Sequence, residues 1–254
     1  MKQEKLKRLI HSTRPGQVLL RSKLLEWGYT PGDLQKYRKG SWLTPLGSGA
    51  MARAGAAPLL SSAIHALQEQ NGGASPHLGA ESALYLHGYA QYLKWEHMAY
   101  QILPPSHWDP PKWLVQHNWE RPLHWYRYSF LPEGQALKNM EVEGYSLSTS
   151  RPERAILECL RRVPFDLDPA AAAELMDNLP ALLPTVLQAL LQSSSSVKVN
   201  RLFLYLADRA GHAWFKHLNP GKINLGRGVR ALVKGGRFVS KYELMVPEEI
   251  FSHV

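Results

Sequence analysis

Residues 30–53 read TPGDLQKYRKGSWLTPLGSGAMAR. Thr30 suits a helix N-cap, Pro31 the first helical position, and Asp33 the positive end of the helix dipole. Gly40 stops that helix, so the sequence predicts it over 31–39. Leu34 and Tyr37 share one face, while at 100° per residue Gly32, Gln35, Lys36 and Lys39 point away from them. Arg38 flanks the apolar face on a stem long enough to reach outward. Beyond Gly40, SWLTP and AMAR read as short strands with LGSG as their turn. Positive charge is thus placed on a short helix beside a tight hairpin.

Upstream, LLRSKLLEWG (19–28) offers Leu20, Leu24 and Leu25 on one face and Gly28 as a left-handed cap, and KQEKLKRLI (2–10) alternates charges and leucines at helical spacing. Three short helices, a tight turn between the second and third, and a two-stranded hairpin make a winged helix-turn-helix. In that arrangement the 31–39 helix can enter a major groove with the hairpin alongside. Its DNA-reading set begins at Thr30 and contains Gly32, Gln35, Lys36, Arg38 and Lys39. The same residues would also suit the charged outer face of an ordinary small α/β subdomain.

At 254 residues, 44% hydrophobic and 20% charged, the chain is globular, with room for one large domain or two ordinary ones. No apolar run approaches a membrane span, and MKQEKLKRLIHS carries charges where a signal peptide needs apolar residues. Cys159 is the only cysteine, so no intrachain disulfide can form. A cytoplasmic protein is expected. Residues 1–55 carry 11 Lys+Arg against 3 Asp+Glu, residues 56–196 carry 9 against 14, and residues 197–254 carry 10 against 4. Basic ends around an acidic middle fit a polyanionic partner, because clustered cations release its counterions; a solvated basic surface is the alternative.

Along the remaining chain, 58–70 reads as an amphipathic helix closing the first domain, with His65 partly buried. Leu84, Leu86 and Tyr89 pack a further helix that Gly88 ends. His77 and His87 have no cysteine or second histidine at ligand spacing, which argues against a metal. Trp95, Trp108, Trp113, Trp119 and Trp125 mark a sheet, with HWYRYSFLP (124–132) and VEGYSLSTS (142–150) as strands. These aromatics suit a β core better than stacking on single-stranded nucleic acid. Ser150 and Glu153 form a capping box for ERAILECLRR, on whose apolar face Cys159 is a buried filler. Two Ala/Leu-rich helices over 168–191 join at Pro180, the serine run 193–196 caps VKVNRLFLYLADRA, and short strands follow around KINLG, ALVKGGRFV and YELMVP. Between Asp208 and Glu243 stand eight basic residues and no acidic one.

No catalytic constellation emerges. Gly-x-Ser-x-Gly, His-Glu-x-x-His and Cys-x-x-Cys are absent, and GKINLGRG lacks the Lys-Ser/Thr of a phosphate loop. Asp166-x-Asp168 has the spacing of a metal-binding carboxylate pair, but Asp168 before Pro169 is better read as a helix cap. The expectation is a non-enzyme without cofactor or metal.

GDLQKYRKGSWLTPLGSGAMARAG and HLGAESALYLHGYAQYL resemble the winged-helix segment and following stretch of AbiEi-type antitoxins of bacterial type IV toxin–antitoxin and phage-defence systems. SRPERAILECL, VKVNRLFLYLADRAGHAWFKHL, INLGRG and LVKGGRFVSKYELMVP resemble that family's C-terminal antitoxin domain. The resemblance implies an α+β fold with a winged helix-turn-helix domain over 1–94 and a mixed α/β antitoxin domain over 95–254. It also implies an autorepressor that binds operator repeats in double-stranded DNA and counters a nucleotidyltransferase toxin, usually without a stable complex; neutralisation by direct contact is the alternative. Ser48 stands at the wing tip where the family tends to place a basic residue, which makes Arg53, at the wing's base, the phosphate candidate there. A second basic patch, Lys222, Arg227, Arg230, Lys234, Arg237 and Lys241, would face DNA, an RNA or the toxin.

Overall fold

The computed structural model describes residues 2–71, 75–90 and 98–252. Its N-terminal part contains α1 (Lys2–Ser12), β1 (Val18–Leu20), α2 (Arg21–Glu26), α3 (Pro31–Lys39), β2 (Leu43–Gly47), β3 (Ala50–Arg53) and α4 (Leu60–Asn71). The 19–28 segment is therefore not one helix. Val18–Leu20 is a buried apolar run whose backbone pairs antiparallel with Ala50–Ala52, and the helix begins only at Arg21. The wing gains a third strand, in the order β1-β3-β2. Gly28, at φ +84°, turns the chain after α2 as expected. Leu9, Leu19, Leu24, Tyr29, Leu34, Tyr37, Leu43 and Met51 are buried together beneath α3.

The middle of the chain forms β4 (His77–Leu78), α5 (Ala80–Leu86), β5 (Tyr100–Leu103), α6 (Lys112–Gln116), β6 (Leu123–Trp125), β7 (Leu137–Val142) and β8 (Tyr145–Ser150). Its five strands are ordered β6-β5-β4-β8-β7, parallel at β5/β6 and β4/β8 and antiparallel elsewhere. HWYRYSFLP is a strand only to Trp125. Tyr126 N still donates to Ile102 O of β5 at 3.0 Å, and Tyr126, Tyr128 and Phe130 pack ring on ring, with Arg162 over Tyr126 and Arg161 over Tyr128. VEGYSLSTS is the end of one strand, the Glu143–Gly144 turn and a second strand, because its Val142 pairs with Tyr145. Trp113 is buried, while Trp108, Trp119 and Trp125 are half-buried against the same core; Trp95 lies outside the described residues.

This sheet and the winged helix share a core. Val18, Leu20, Ala50, Leu60, Ile64 and Leu67 pack with Leu78, Tyr100, Ile102, Trp113 and Leu147. The Gln68 side chain on α4 both accepts from Ser148 N and donates to its carbonyl, as an added strand would. β4 and α5 precede the 94/95 boundary drawn from sequence, yet β4 pairs with β5 and β8, and α5 packs its Ala80, Ala83 and Leu84 into the C-terminal core.

That core is built by α7 (Pro152–Arg162), α8 (Pro169–Asp177), α9 (Pro184–Ser193) and α10 (Val197–Ala210), followed by β9 (Arg230–Ala231), β10 (Arg237–Val239) and β11 (Leu244–Val246) in the order β10-β11-β9. The expected Ser150–Glu153 capping box does not form. Pro152 takes the first helical position and makes Arg151 the N-cap, so Ser150 Oγ turns to Glu158 and Glu153 accepts from Leu183 N. Asp168 caps α8 by accepting from Ala170 N and Ala171 N, and Ser196 caps α10 through Val199 N. Cys159 is fully buried, and that burial pushes its thiol up, far from a nucleophile. KINLG is a loop and not a strand, because α10 takes its carbonyls: Asn200 Nδ2 donates to Asn224 O and Arg201 Nε to Leu225 O.

Candidate nucleic-acid interface

α3 is fixed at its start and from behind. Thr30 and Asp33 complete a capping box, with Asp33 N to Thr30 Oγ1 at 3.1 Å and Thr30 N to Asp33 Oδ2 at 3.0 Å. Lys5 of α1 reaches the same carboxylate at 3.1 Å and the Gly28 carbonyl at 2.7 Å. The bonds from Thr30, then Lys5, lower the Asp33 carboxyl to about 2. Leu34 and Tyr37 anchor the inner face, Tyr37 meeting Tyr29 edge-on at 6.2 Å between ring centroids. Burial raises the Tyr37 hydroxyl, consistent with a packing role.

On the outer face Gly32, Gln35, Lys36, Arg38 and Lys39 are exposed. No side-chain hydrogen bond or ion pair engages Gln35, Lys36, Arg38 or Lys39 among the described residues. Gln35 and Arg38 line an open groove of about 640 Å³ between α3 and the wing, whose walls include Arg21, Pro31, Leu34 and Met51. Lys36 and Lys39 lie on the next stripe of the helix, outside that lining. Arg21 belongs to the site although its sequence gave no sign of it. Within a supposed 19–28 helix it is one more surface cation, and only the β1-to-α2 turn at Leu20 brings it to the wing, where its N–H donates to Gly49 O at 2.8 Å.

Two expected residues have other duties. Thr30 uses its side chain in the cap. Arg53 is half-buried, with Nη1 donating to Ala54 O at 2.6 Å and its guanidinium 5.9 Å from the Trp42 ring centre, and it is not among the groove-lining residues. The wing is braced from behind. Gly47, at φ +143°, lies against α6 so closely that an added Cβ would stand 2.8 Å from Trp113 Cβ.

The second basic patch is partly neutralised by tertiary contacts. Lys241 Nζ meets Asp208 at 2.5 Å, and Arg237 lies 3.8 Å from Glu248 and 4.8 Å from the Phe251 ring centre. Arg230 is half-buried and donates to Arg227 O at 3.3 Å. Lys222, Arg227 and Lys234 remain exposed without a side-chain partner among the described residues. Beneath them Arg201, 1% exposed, donates to Leu225 O, Gly228 O, Glu243 O and the Glu243 carboxylate. One buried guanidinium therefore holds the basic loop in place.

Among the described residues no three His, Cys, Asp or Glu side chains are grouped to hold a metal ion, and no helix is long and apolar enough to cross a membrane. His77 meets Glu158, and His87 meets the Ser150 carbonyl.

A family model described as the N-terminal domain of the AbiEi antitoxin transcriptional regulator matches residues 2–95. A second, described as transcriptional regulator, AbiEi antitoxin, type IV toxin–antitoxin system, matches residues 99–247. No curated protein matches the sequence. Among solved structures, that of the RV2827C protein from Mycobacterium tuberculosis is similar over 95% of this chain and 90% of that one, with a TM-score of 0.62 at 17% identity. That likeness is one of fold.

Proposed function

Because the chain belongs to the AbiEi antitoxin family of type IV toxin–antitoxin transcriptional regulators, a family of regulators and not of enzymes, we propose that it represses its own operon by laying α3 in the major groove of operator repeats. The observation that carries this reading is the row Gln35, Lys36, Arg38 and Lys39. These side chains are exposed and unengaged on a helix whose other face is clamped by a capping box, Lys5 and a buried core. Recognition needs such a rigid support, since a mobile reader would lose affinity to ordering. Gln35 suits adenine through paired hydrogen bonds, and Arg38 suits guanine. Lys36, Lys39 and Arg21 suit phosphates on either side. The partners are then operator DNA and, as functional antagonist, a nucleotidyltransferase toxin, all within the cytoplasm.

Footprinting on the protein's own upstream DNA tests the reading. Protection of repeated half-sites is expected, with affinity falling steeply as salt rises. Absence of protection at low salt contradicts it.

A second role rests on Lys222, Arg227 and Lys234, unpaired on a loop that Arg201 anchors. They supply either a second phosphate contact or a surface for the toxin. Co-purification of toxin with the wild-type chain but not with a variant of these three favours the toxin.

A further inference from the structure

The sheet of β9, β10 and β11 has one covered face and one bare face. Val239, Leu244 and Val246 are buried in the C-terminal core. Strand alternation turns their neighbours outward. Phe238 pairs with Met245, and Met245 with Ala231, so these three side chains form one row across all three strands on the outer face. Phe238 is 50% exposed, Ala231 is exposed and Met245 is half-buried; Val229, just before β9, is also 50% exposed. Single exposed apolar side chains need no explanation, but a row continuous across a sheet marks an interaction surface.

The sheet is also held in place at some cost. Glu243, immediately before β11, has φ +46°, a left-handed conformation that non-glycine residues rarely adopt. Its carbonyl is fixed by Arg230 N at 2.9 Å and by the buried Arg201 Nη1 at 2.8 Å. Such strain persists only where the surroundings over-determine it, and it gathers at functional sites. Charge then narrows what can cover the row. Arg227 leads into β9 and Lys234 lies between β9 and β10; both are exposed without a side-chain partner among the described residues. No acidic residue stands between Asp208 and Glu243 to neutralise them locally. A second copy seated face to face would set these cations against each other. A phosphate backbone would satisfy the cations but leave the apolar row in water, and one phenyl ring among aliphatic side chains is a poor platform for stacked bases. A protein surface with an apolar centre and an acidic rim satisfies both.

We propose that the Phe238–Met245–Ala231 row, rimmed by Arg227 and Lys234, docks a protein with an apolar centre and an acidic rim. This rests on the toxin antagonism proposed above and assigns that antagonism to one surface. The probe is the purified nucleotidyltransferase toxin, titrated by calorimetry into the full chain. The toxin binds the wild type, more weakly as salt rises. Phe238→Ser with Val229→Ser weakens binding at least tenfold in a protein that keeps its far-UV circular dichroism, as expected for an aromatic anchor. Arg227→Glu with Lys234→Glu also weakens it and flattens the salt dependence. A photo-crosslinking benzoylphenylalanine in place of Phe238 joins the chain to the toxin, a readout that survives weak binding. Operator affinity of the Phe238→Ser, Val229→Ser variant stays within about twofold of the wild type, as for a surface apart from the DNA site. The proposal is overturned if the wild type neither binds nor crosslinks to the toxin, or if the folded double-serine variant binds it as tightly. It is equally overturned if that variant loses operator affinity, which assigns the row to DNA, or if it abolishes a wild-type dimer seen by sedimentation, which assigns the row to a second copy. Relief of toxicity by the wild type without any binding sinks this surface and leaves the antitoxin reading intact. Failure of the wild type to bind its operator sinks the repressor reading and leaves this surface to the toxin titration.

Discussion

Replacing Arg201 by methionine keeps most of the side-chain volume and removes the guanidinium that supports the basic loop. Three backbone carbonyls, those of Leu225, Gly228 and Glu243, lose donors at 2.7, 2.7 and 2.8 Å. The fourth contact, to the Glu243 carboxylate at 3.0 Å, counts for little, because that side chain is 52% exposed and screened. Hydrogen bonds to a charged group are worth about 1.5–3 kcal/mol each, which would put three near 4.5–9 kcal/mol. The carbonyls are only part-buried and recover some water, so about 3–5 kcal/mol is the expected loss, as for breaking other buried ionic contacts. With a urea m-value of about 3 kcal/mol/M, the midpoint should fall by roughly 1 M or more. Tryptophan fluorescence reports it directly, because buried Trp214 stacks on Phe203 of α10. Arg201→Lys should recover less than half, since an ammonium cannot fork to carbonyls on opposite sides. A midpoint shift below about 0.3 M with an unchanged slope would show that the loop stands without Arg201.

A fragment beginning at residue 95 should not fold cooperatively, because it loses the strand between β5 and β8 and the helix carrying Ala80, Ala83 and Leu84; a cooperative thermal transition from it refutes this. Asp33 should titrate at about 2, against 3.8 when unfolded. Its folded value is depressed, so its contribution is present above the unfolded value and is lost as pH falls through about 2, and carboxyl NMR titration checks it. Changing Arg227, Arg230, Lys234 and Arg237 to alanine should flatten the salt dependence of operator binding if the patch lies on phosphate; unchanged binding with lost antitoxicity assigns it to the toxin side.

Helix α3 was legible because its signals are local. Thr30, Pro31, Asp33 and Gly40 fix the ends of α3, and the spacing of Leu34 and Tyr37 fixes which face is buried. What stayed hidden depends on partners distant in sequence. Val18–Leu20 is a strand only because Ala50–Ala52 lies beside it, and Arg21 reaches the groove only as a consequence. The acid-free run before Glu243 reads as a continuous basic surface, but Asp208 and Glu248 fold back onto Lys241 and Arg237. His77 likewise reads as a lone histidine, since its partner Glu158 stands 81 residues away. Short-range chemistry is visible in a string of residues, whereas charge pairing and strand pairing across the fold are not.

The central claim is that α3 reads DNA, and operator affinity of a Gln35/Lys36/Lys39 triple-alanine variant tests it most directly. These side chains are exposed and unengaged, so the variant should melt within about 1 °C of the wild type, as surface changes of under 0.5 kcal/mol allow. Gln35→Ala alone should cost about 1–3 kcal/mol at the cognate site and relax preference there, and the lysine changes should weaken all sequences more evenly. The triple variant should therefore bind its operator at least a hundredfold more weakly at moderate salt, roughly 2.7 kcal/mol. Wild-type affinity in that folded variant would contradict the account, because the reader would then lie elsewhere on the molecule.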